Sequence, residues 1–254
     1  MRHILFFAFL GFQLSVQAQR LILEQRGCKV SEGSMEEILR ITKYQAKLYN
    51  NLFNTSANDT LQIFVNLYGS RQEYNFVQKL AMSNGHKTLG FYSPSQNQAH
   101  VYRGSDYSPV IIHEASHSFL QYNLPFHSRW LTEGIAEFCE TLEVQQNEVV
   151  FSAQSQRIKL VQNLIEKKGF NLALFLNTPN SSWGEKEKTQ DLYSISYSLI
   201  YFLIKKKPNA LKQILLFIKE GQSEKQAIEY GYGGFHQFEN DYISFYKKLV
   251  VKPV

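Results

Sequence analysis

Residues 111–120 read IIHEASHSFL and contain the pattern His-Glu-x-x-His. In an α-helix, His113 and His117 lie one turn apart on the same face, because they are separated by four residues. Two imidazoles in this arrangement can bind one metal ion. Glu114 points about 100° away from His113 around the helix axis, where it can reach a water molecule at the metal. The stretch therefore predicts a helix that carries two metal ligands and a general base.

The flanking sequence also favours a helix. Ser108 is the predicted N-cap, and Pro109 is the first helical residue, where the missing N–H of proline is tolerated. Apolar residues recur at helical intervals around the polar triplet. They are Val110, Ile111, Ala115, Phe119 and Leu120.

A second motif, WLTEGIAEFCE, occupies residues 130–140. A catalytic zinc site usually has three protein ligands and one open position. With Ser128 as N-cap, Glu133 lies in the second turn of a predicted helix and is the candidate third ligand. Glu137 follows on the same face and is expected to accept a hydrogen bond from the far ring nitrogen of a ligand histidine. His127, in the preceding loop, stays open as an alternative ligand.

Together, the two motifs resemble those of the gluzincin zinc metallopeptidases, and within that group the small peptidase-MA-like proteins. The resemblance implies that His113, His117 and Glu133 bind one zinc ion. It also implies that Glu114 is the general base and that Glu137 is the partner of a ligand histidine. In this chemistry zinc acts as a Lewis acid that activates water, and the glutamate accepts a proton from that water.

A third stretch, DLYSISYSLIYFL at residues 191–203, resembles the gluzincin helix whose first tyrosine faces the zinc. The alignment puts Tyr193 at that position, where its hydroxyl would donate a hydrogen bond to the oxyanion of the reaction. Tyr197, one turn later, is the alternative donor. Tyrosines at this spacing also often only pack, with their hydroxyls at the surface.

Two other kinds of zinc site do not fit the spacing. A metzincin needs glycine and histidine three and six residues after the second histidine, where this chain has Leu120 and Asn123. A closed structural site would need cysteine ligands, and Cys28 and Cys139 lack the paired spacing of such a site. The sequence leaves open whether these two cysteines form a disulfide.

The first 18 residues predict a secretory signal peptide. Arg2 and His3 are polar, residues 4–10 are apolar, and residues 16–18 (Val-Gln-Ala) offer small side chains at the cleavage positions. The protein is therefore expected to be secreted or periplasmic. No later stretch is long and apolar enough for a transmembrane helix. The net charge of +5 is too small to indicate a nucleic-acid partner.

Residues 19–254 predict a single zincin-like α+β domain. Residues 19–107 are expected to form a small mixed β-sheet with helices, and residues 108–254 a mainly helical part, with the active-site cleft between them. The first part has predicted helices at 35–53, capped by Ser31 or Ser34, and 71–82, a strand at 61–68, and a hairpin of 89–92 with 99–103. The second part has a possible strand at 148–151 and helices near 154–167, 191–206, 210–219, 223–230 and 235–249.

In zincins, an edge strand beside the metal helix receives the substrate backbone as an added strand. The second strand of the predicted hairpin ends shortly before the metal helix and is predicted to be that edge strand. His100 and Arg103 are then candidate substrate contacts. The alternative is that they are ordinary exposed residues of an edge strand.

The resemblance implies an exported zinc metallopeptidase that acts on peptides or proteins. An endopeptidase is favoured over an aminopeptidase, because no Gly-x-Met-Glu-Asn motif precedes His113. One alternative is a non-catalytic zinc-binding or peptide-binding protein of the same fold. Another is a purely structural domain whose histidines pack in its core. The oligomeric state stays open.

Overall fold

The computed structural model describes residues 20–82, 88–124, 128–167 and 170–250. These residues form an α+β fold with a small mixed β-sheet and many helices, so the predicted fold class is confirmed. The predicted signal peptide and the alternative ligand His127 both lie outside the described residues.

The main sheet has four strands: β1 (Arg20–Arg26), β2 (Gln62–Tyr68), β3 (Gly90–Ser93) and β4 (Gln98–Tyr102). Their order across the sheet is β1-β2-β4-β3. Strands β1, β2 and β4 run parallel, whereas β3 is antiparallel to β4 and forms one edge. The predicted strand at 61–68 and the predicted hairpin are therefore present. Strand β1 was not predicted.

The prediction that the second hairpin strand is the edge strand is wrong, because β4 lies between β2 and β3. His100 on β4 is consequently buried, not exposed to substrate. Its Nδ1 lies 2.9 Å from the Tyr68 hydroxyl, and its ring stacks on Phe91 with 4.7 Å between centroids. Arg103 follows the end of β4, is exposed, and lies over the Tyr107 ring. The edge strand beside β4 is β3, and β1 forms the opposite edge of the sheet.

Three long helices lie between residues 32 and 123, and the third of them begins the predicted mainly helical part. Helix α1 (Glu32–Phe53) is capped by Ser31, whose side chain accepts a hydrogen bond from the backbone N–H of Ser34. Helix α2 (Arg71–Ala81) packs on β2 and β4. Helix α3 (Tyr107–Asn123) carries the His-Glu-x-x-His pattern. It begins before the predicted N-cap: Asp106 occupies the cap position, and Ser108 lies within the first turn.

Helix α1 holds the back of α3 through buried polar contacts. The Gln45 side chain donates to the backbone carbonyl of Ile112 at 2.9 Å, and the Tyr49 hydroxyl donates to that of Ser116 at 3.0 Å. The Tyr49 ring also stacks on Phe119 at 5.0 Å. Each bond satisfies a buried polar group, so the rotation of α3 about its axis is well defined.

The second half is mainly helical, as predicted. After α3, its elements are α4 (Arg129–Cys139), β5 (Leu142–Gln145), β6 (Glu148–Phe151), α5 (Ser155–Glu166), α6 (Leu172–Leu176), α7 (Lys186–Lys206), α8 (Pro208–Lys219), α9 (Glu224–Ile228) and α10 (Phe235–Lys248). Strands β5 and β6 pair as an antiparallel hairpin. Helix α7 starts five residues before its predicted start, and β5 and α6 were not predicted.

One hydrophobic core runs through both halves and includes residues of the sheet, α1, α3, α4 and α7. Cys139 is buried at the end of α4, while the Cys28 Sγ contacts the Leu67 carbonyl at 3.4 Å. Both thiols are free, so the two cysteines do not form a disulfide. Among the described helices, none combines the length and apolar character needed to span a membrane.

Candidate metal centre

Helices α3 and α4 bring the three predicted ligands together. The Nε2 atom of His113 lies 3.5 Å from Oε2 of Glu133, and Nε2 of His117 lies 3.9 Å from the same oxygen. One ligand atom from each of the three residues lies within 4.8 Å of the others. The two imidazole rings are nearly perpendicular, at 78°, with 4.9 Å between their centroids.

These distances fit a zinc ion. Zinc binds histidine nitrogen and carboxylate oxygen at about 2.0–2.1 Å, so the ligand atoms of an ideal tetrahedral site are about 3.4 Å apart. The separation between His113 and Glu133 is close to that value, and the separation between His117 and Glu133 is slightly longer. Small side-chain rotations would therefore complete the site.

Glu114 lies beside the ligand cluster with a free carboxylate oxygen. The residue is only 5% exposed, and its Oε2 has no hydrogen-bond partner among the described residues. That oxygen lies 3.9 Å from Nε2 of His117. Burial raises the pKa of Glu114 to about 8, although the charge of His113 acts to lower it. A buried acceptor without a partner is costly, and a water molecule at the metal would satisfy it.

The electrostatics of the ligands differ from those of the base. Burial acts to raise the pKa of Glu133, but its hydrogen bond with His113 and the nearby positive charges hold it at about 2. Burial acts to lower the pKa of His113, but the Glu133 and Glu140 carboxylates beside its two ring nitrogens outweigh this effect and raise the pKa well above its usual value.

The sequence predicted Glu137 as the partner of the far ring nitrogen of His113, but Glu140 is the nearer carboxylate. The Nδ1 atom of His113 is 3.6 Å from Oε2 of Glu140, while the predicted partner Glu137 forms an ion pair with Arg157 of α5. Glu137 stays close enough to share a cluster with His113 and Glu140. Burial raises the pKa of Glu137 to about 7, although the charges of His113 and Arg157 act to lower it.

The two candidate tyrosines of α7 have different surroundings. Tyr193 lines the cleft, and Glu133 is close enough to affect its pKa. Tyr197 is fully buried, and its hydroxyl accepts a hydrogen bond from the backbone N–H of Gln154 at 2.9 Å. The hydroxyl of Tyr197 thus has a structural partner, and Tyr193 is the tyrosine that faces the candidate site.

The site opens into a cleft of about 1200 Å³. The edge strand β3 contributes Gly90, Phe91 and Tyr92 to one wall, and α7 contributes Tyr193 and Ser194 to another. The described lining has four carboxylates and two guanidinium groups, which give a formal charge of −2 with neutral histidines. They are Glu114, Glu133, Glu137, Glu140, Arg129 and Arg157.

Three charged residues of this lining were missed in the sequence. Arg129, Glu133, Glu137 and Glu140 follow one another at intervals of four, four and three, which places them on one helix face. This spacing could have pointed to Arg129 and Glu140. No such spacing points to Arg157, because it reaches the site from a different helix, α5.

A family described as a protein of unknown function (DUF1570) matches residues 108–225. The matched part is somewhat less than half of the chain. It includes every residue of the metal centre described above, whereas the four-stranded sheet lies before it. A comparison with curated proteins gives no match. The similarity therefore brings no activity with it.

Proposed function

We propose that this protein is an exported, zinc-dependent peptidase whose zinc ligands are His113, His117 and Glu133. The observation that carries the proposal is the convergence of these three ligand atoms beside the free carboxylate oxygen of Glu114. Two imidazoles and one carboxylate with an open position form a typical catalytic zinc site. The formal charge of −2 in the described lining also suits a divalent cation.

When bound, zinc supplies Lewis-acid chemistry that polarises a carbonyl group and makes water more acidic. Glu114 accepts a proton from the attacking water and passes it to the leaving amine as the C–N bond breaks. The oxygen of Glu114 that has no hydrogen-bond partner favours this role over the alternative of a non-catalytic zinc-binding protein. Tyr193 donates a hydrogen bond to the oxyanion that develops on the carbonyl oxygen. Glu140 orients His113 through the proton on Nδ1.

The edge strand β3 supports an extended peptide as the substrate. One side of β3 pairs with β4, and its residues line the cleft beside the metal site. A peptide backbone can pair with the free side of an edge strand over several residues. Together with the missing aminopeptidase motif, this favours an endopeptidase. Export rests on residues 1–18 of the sequence.

The test begins with a substrate screen of the zinc-loaded protein against a peptide library, with a chelator control. A Glu114→Gln variant is then compared with a Glu36→Gln variant, because Glu36 is an exposed glutamate of α1 that does not line the cleft. We expect Glu114→Gln to keep its zinc and its fold and to lose about 10²–10⁴-fold in turnover. The Glu36→Gln variant should match the wild type.

Two outcomes would reject this function. Unchanged turnover in Glu114→Gln would remove the general base from the mechanism. A zinc-loaded wild type that binds peptides and cleaves none of them would instead favour the non-catalytic alternative.

A further inference from the structure

Arg129 connects a candidate zinc ligand to the candidate oxyanion donor. Its Nε lies 3.5 Å from Oε1 of Glu133, which is the oxygen that does not face the two histidines. Its guanidinium group also lies close enough to the Tyr193 side chain to oppose part of the rise that burial causes in the pKa of Tyr193. Arg129 precedes Glu133 by four residues on α4, so the contact with Glu133 lies within one helix face.

A buried aromatic ring limits the movement of this pair. The Arg129 guanidinium lies 5.9 Å from the centroid of the Trp183 ring. The Trp183 ring in turn packs edge-on against Tyr193, with 5.7 Å between centroids. Trp183 is 3% exposed, so it is a fixed surface for both neighbours. Arg129, Trp183 and Tyr193 thus form one cluster beside the metal site.

We propose that Arg129 is a positioning residue that fixes the Glu133 carboxylate and the Tyr193 hydroxyl relative to each other. This inference rests on the proposed function and extends it. A planar guanidinium can donate to two acceptors at once in a fixed geometry, which a lysine ammonium does less well. When Arg129 donates to the Tyr193 oxygen, the Tyr193 proton stays available for the substrate. The Glu133 oxygen opposite the metal is held at the same time.

The experiment compares Arg129→Gln with Arg40→Gln as a matched control. Both arginines pair with a glutamate four residues away on their own helix, and their side chains have similar exposure, 39% and 34%. Arg40 lies on α1 and does not line the cleft. Zinc affinity is measured by competition with a coloured chelator, and the absorption spectrum of the cobalt-substituted protein reports ligand geometry. Turnover of the best library peptide gives kcat and KM separately.

We expect Arg129→Gln to weaken zinc binding about 10-fold to 100-fold, because partners that orient metal ligands have effects of this size. Its cobalt spectrum should change, and its kcat should fall while KM stays near the wild-type value. When Tyr193 has already been replaced by phenylalanine, the addition of Arg129→Gln should lower kcat only as far as it lowers the zinc occupancy. Arg129→Lys should recover most of the zinc affinity but little of kcat, since one ammonium cannot serve both partners.

Three results would overturn the inference. Equal zinc affinity and kcat in the Arg129 and Arg40 variants would mean that Arg129 positions neither group. A rise in KM alone would mean that Arg129 binds the substrate. Full recovery of kcat in Arg129→Lys would mean that residue 129 acts only through its positive charge and not by holding two partners at once. In each of these cases the wild type still binds zinc and cleaves peptide, whereas a wild type without zinc overturns the proposed function as well.

Discussion

Gly90 allows the edge strand to approach the proposed general base. A Cβ atom at this position would lie 2.7 Å from Oε1 of Glu114 and 2.6 Å from Cγ1 of Val110. Both separations are shorter than a van der Waals contact, and Glu114 is buried. A methyl group at residue 90 would therefore displace either the edge strand or the Glu114 carboxylate, which is the proposed proton acceptor.

We predict that Gly90→Ala lowers turnover by at least about 10-fold, since small displacements of catalytic groups have effects of this order. Zinc affinity should change much less, because Glu114 is the proposed base and not one of the proposed ligands. Peptide turnover and zinc affinity are measured on the same preparation. Gly104→Ala is the control, because its Cβ would have only ordinary contacts at 3.7 Å. Wild-type turnover in Gly90→Ala would contradict this prediction, because it would show that the edge strand and the Glu114 carboxylate can move apart without loss of activity.

The sequence predicts the positions of some residues of the site but not the partners of others. His113, Glu114 and His117 follow from helical spacing alone, and the helix that carries them is present. The partner of the His113 Nδ1 was predicted as Glu137, whereas Glu140 is nearer. That choice depends on how α4 is rotated against α3 and on the ion pair that Arg157 makes with Glu137. These are contacts between helices, and local spacing does not specify them.

Among the helices, the position of Glu133 depends on the packing of α4 against α7. Gly134 is the close-contact residue, because a Cβ there would lie 2.6 Å from the Ser196 carbonyl oxygen and 2.9 Å from Cγ1 of Ile200. The backbone of α7 cannot yield as a flexible side chain can. The neighbouring residue Glu133 would move with α4.

We predict that Gly134→Ala destabilises the fold by about 1–3 kcal/mol, as expected for overpacking in a core. It should also weaken zinc binding. Gly33→Ala is the control on α1, where a Cβ would have no neighbour within 4 Å. That change should stabilise the protein by about 0.4–1 kcal/mol, because it reduces the entropy of the unfolded chain. Denaturant unfolding of both variants measures the difference, and equal stabilities would contradict the packing argument.

Elements with a long periodic pattern were predicted well, and short or paired elements were not. The helices at 35–53, 71–82 and 154–167 lie within three residues of their predicted starts. Strand β1 was missed because its apolar run covers only residues 21–23 between charged residues, and because its partner β2 lies 42 positions later in the chain. The sheet order was also wrong in one respect: which strand lies at the edge depends on pairing between distant segments.

At the scale of the whole molecule, the site links stability to pH. The pKa of Glu114 is raised to about 8 and that of Glu137 to about 7, in both cases chiefly by burial. Between pH 4.5 and these values, the folded state keeps protons that the unfolded state has lost. Stability therefore falls as pH rises through this range. The lowered pKa of Glu133 acts only below pH 4.5, where stability is lost as pH falls.

We predict that the metal-free protein is less stable at pH 8 than at pH 5, by about 1.4 kcal/mol for each unit of pKa shift that the site retains. Glu114→Gln should have a smaller slope, because glutamine does not ionise. With saturating zinc the slope should decrease or reverse, since metal binding requires deprotonated ligands. Denaturant unfolding at several pH values, with and without chelator, measures these slopes. Identical slopes for the wild type and Glu114→Gln without metal would contradict the assignment.

The cleft itself was predicted only in outline. The mixed sheet, the helical second half and the shared core follow from the apolar patterns of the sequence. The place of Arg157 in the cleft comes from the packing of α5 beside α4, and the edge position of β3 comes from strand pairing within the sheet. Export also stays a prediction, because residues 1–18 lie outside the described residues.

The most direct measurement is the zinc content of the purified wild-type chain after dialysis against metal-free buffer at neutral pH. Three protein ligands should retain about one zinc ion per chain. Glu133→Ala should retain clearly less under the same dialysis, with its fold checked by circular dichroism. A folded wild-type chain that retains no zinc, or a Glu133→Ala variant with full occupancy, would contradict the proposed centre.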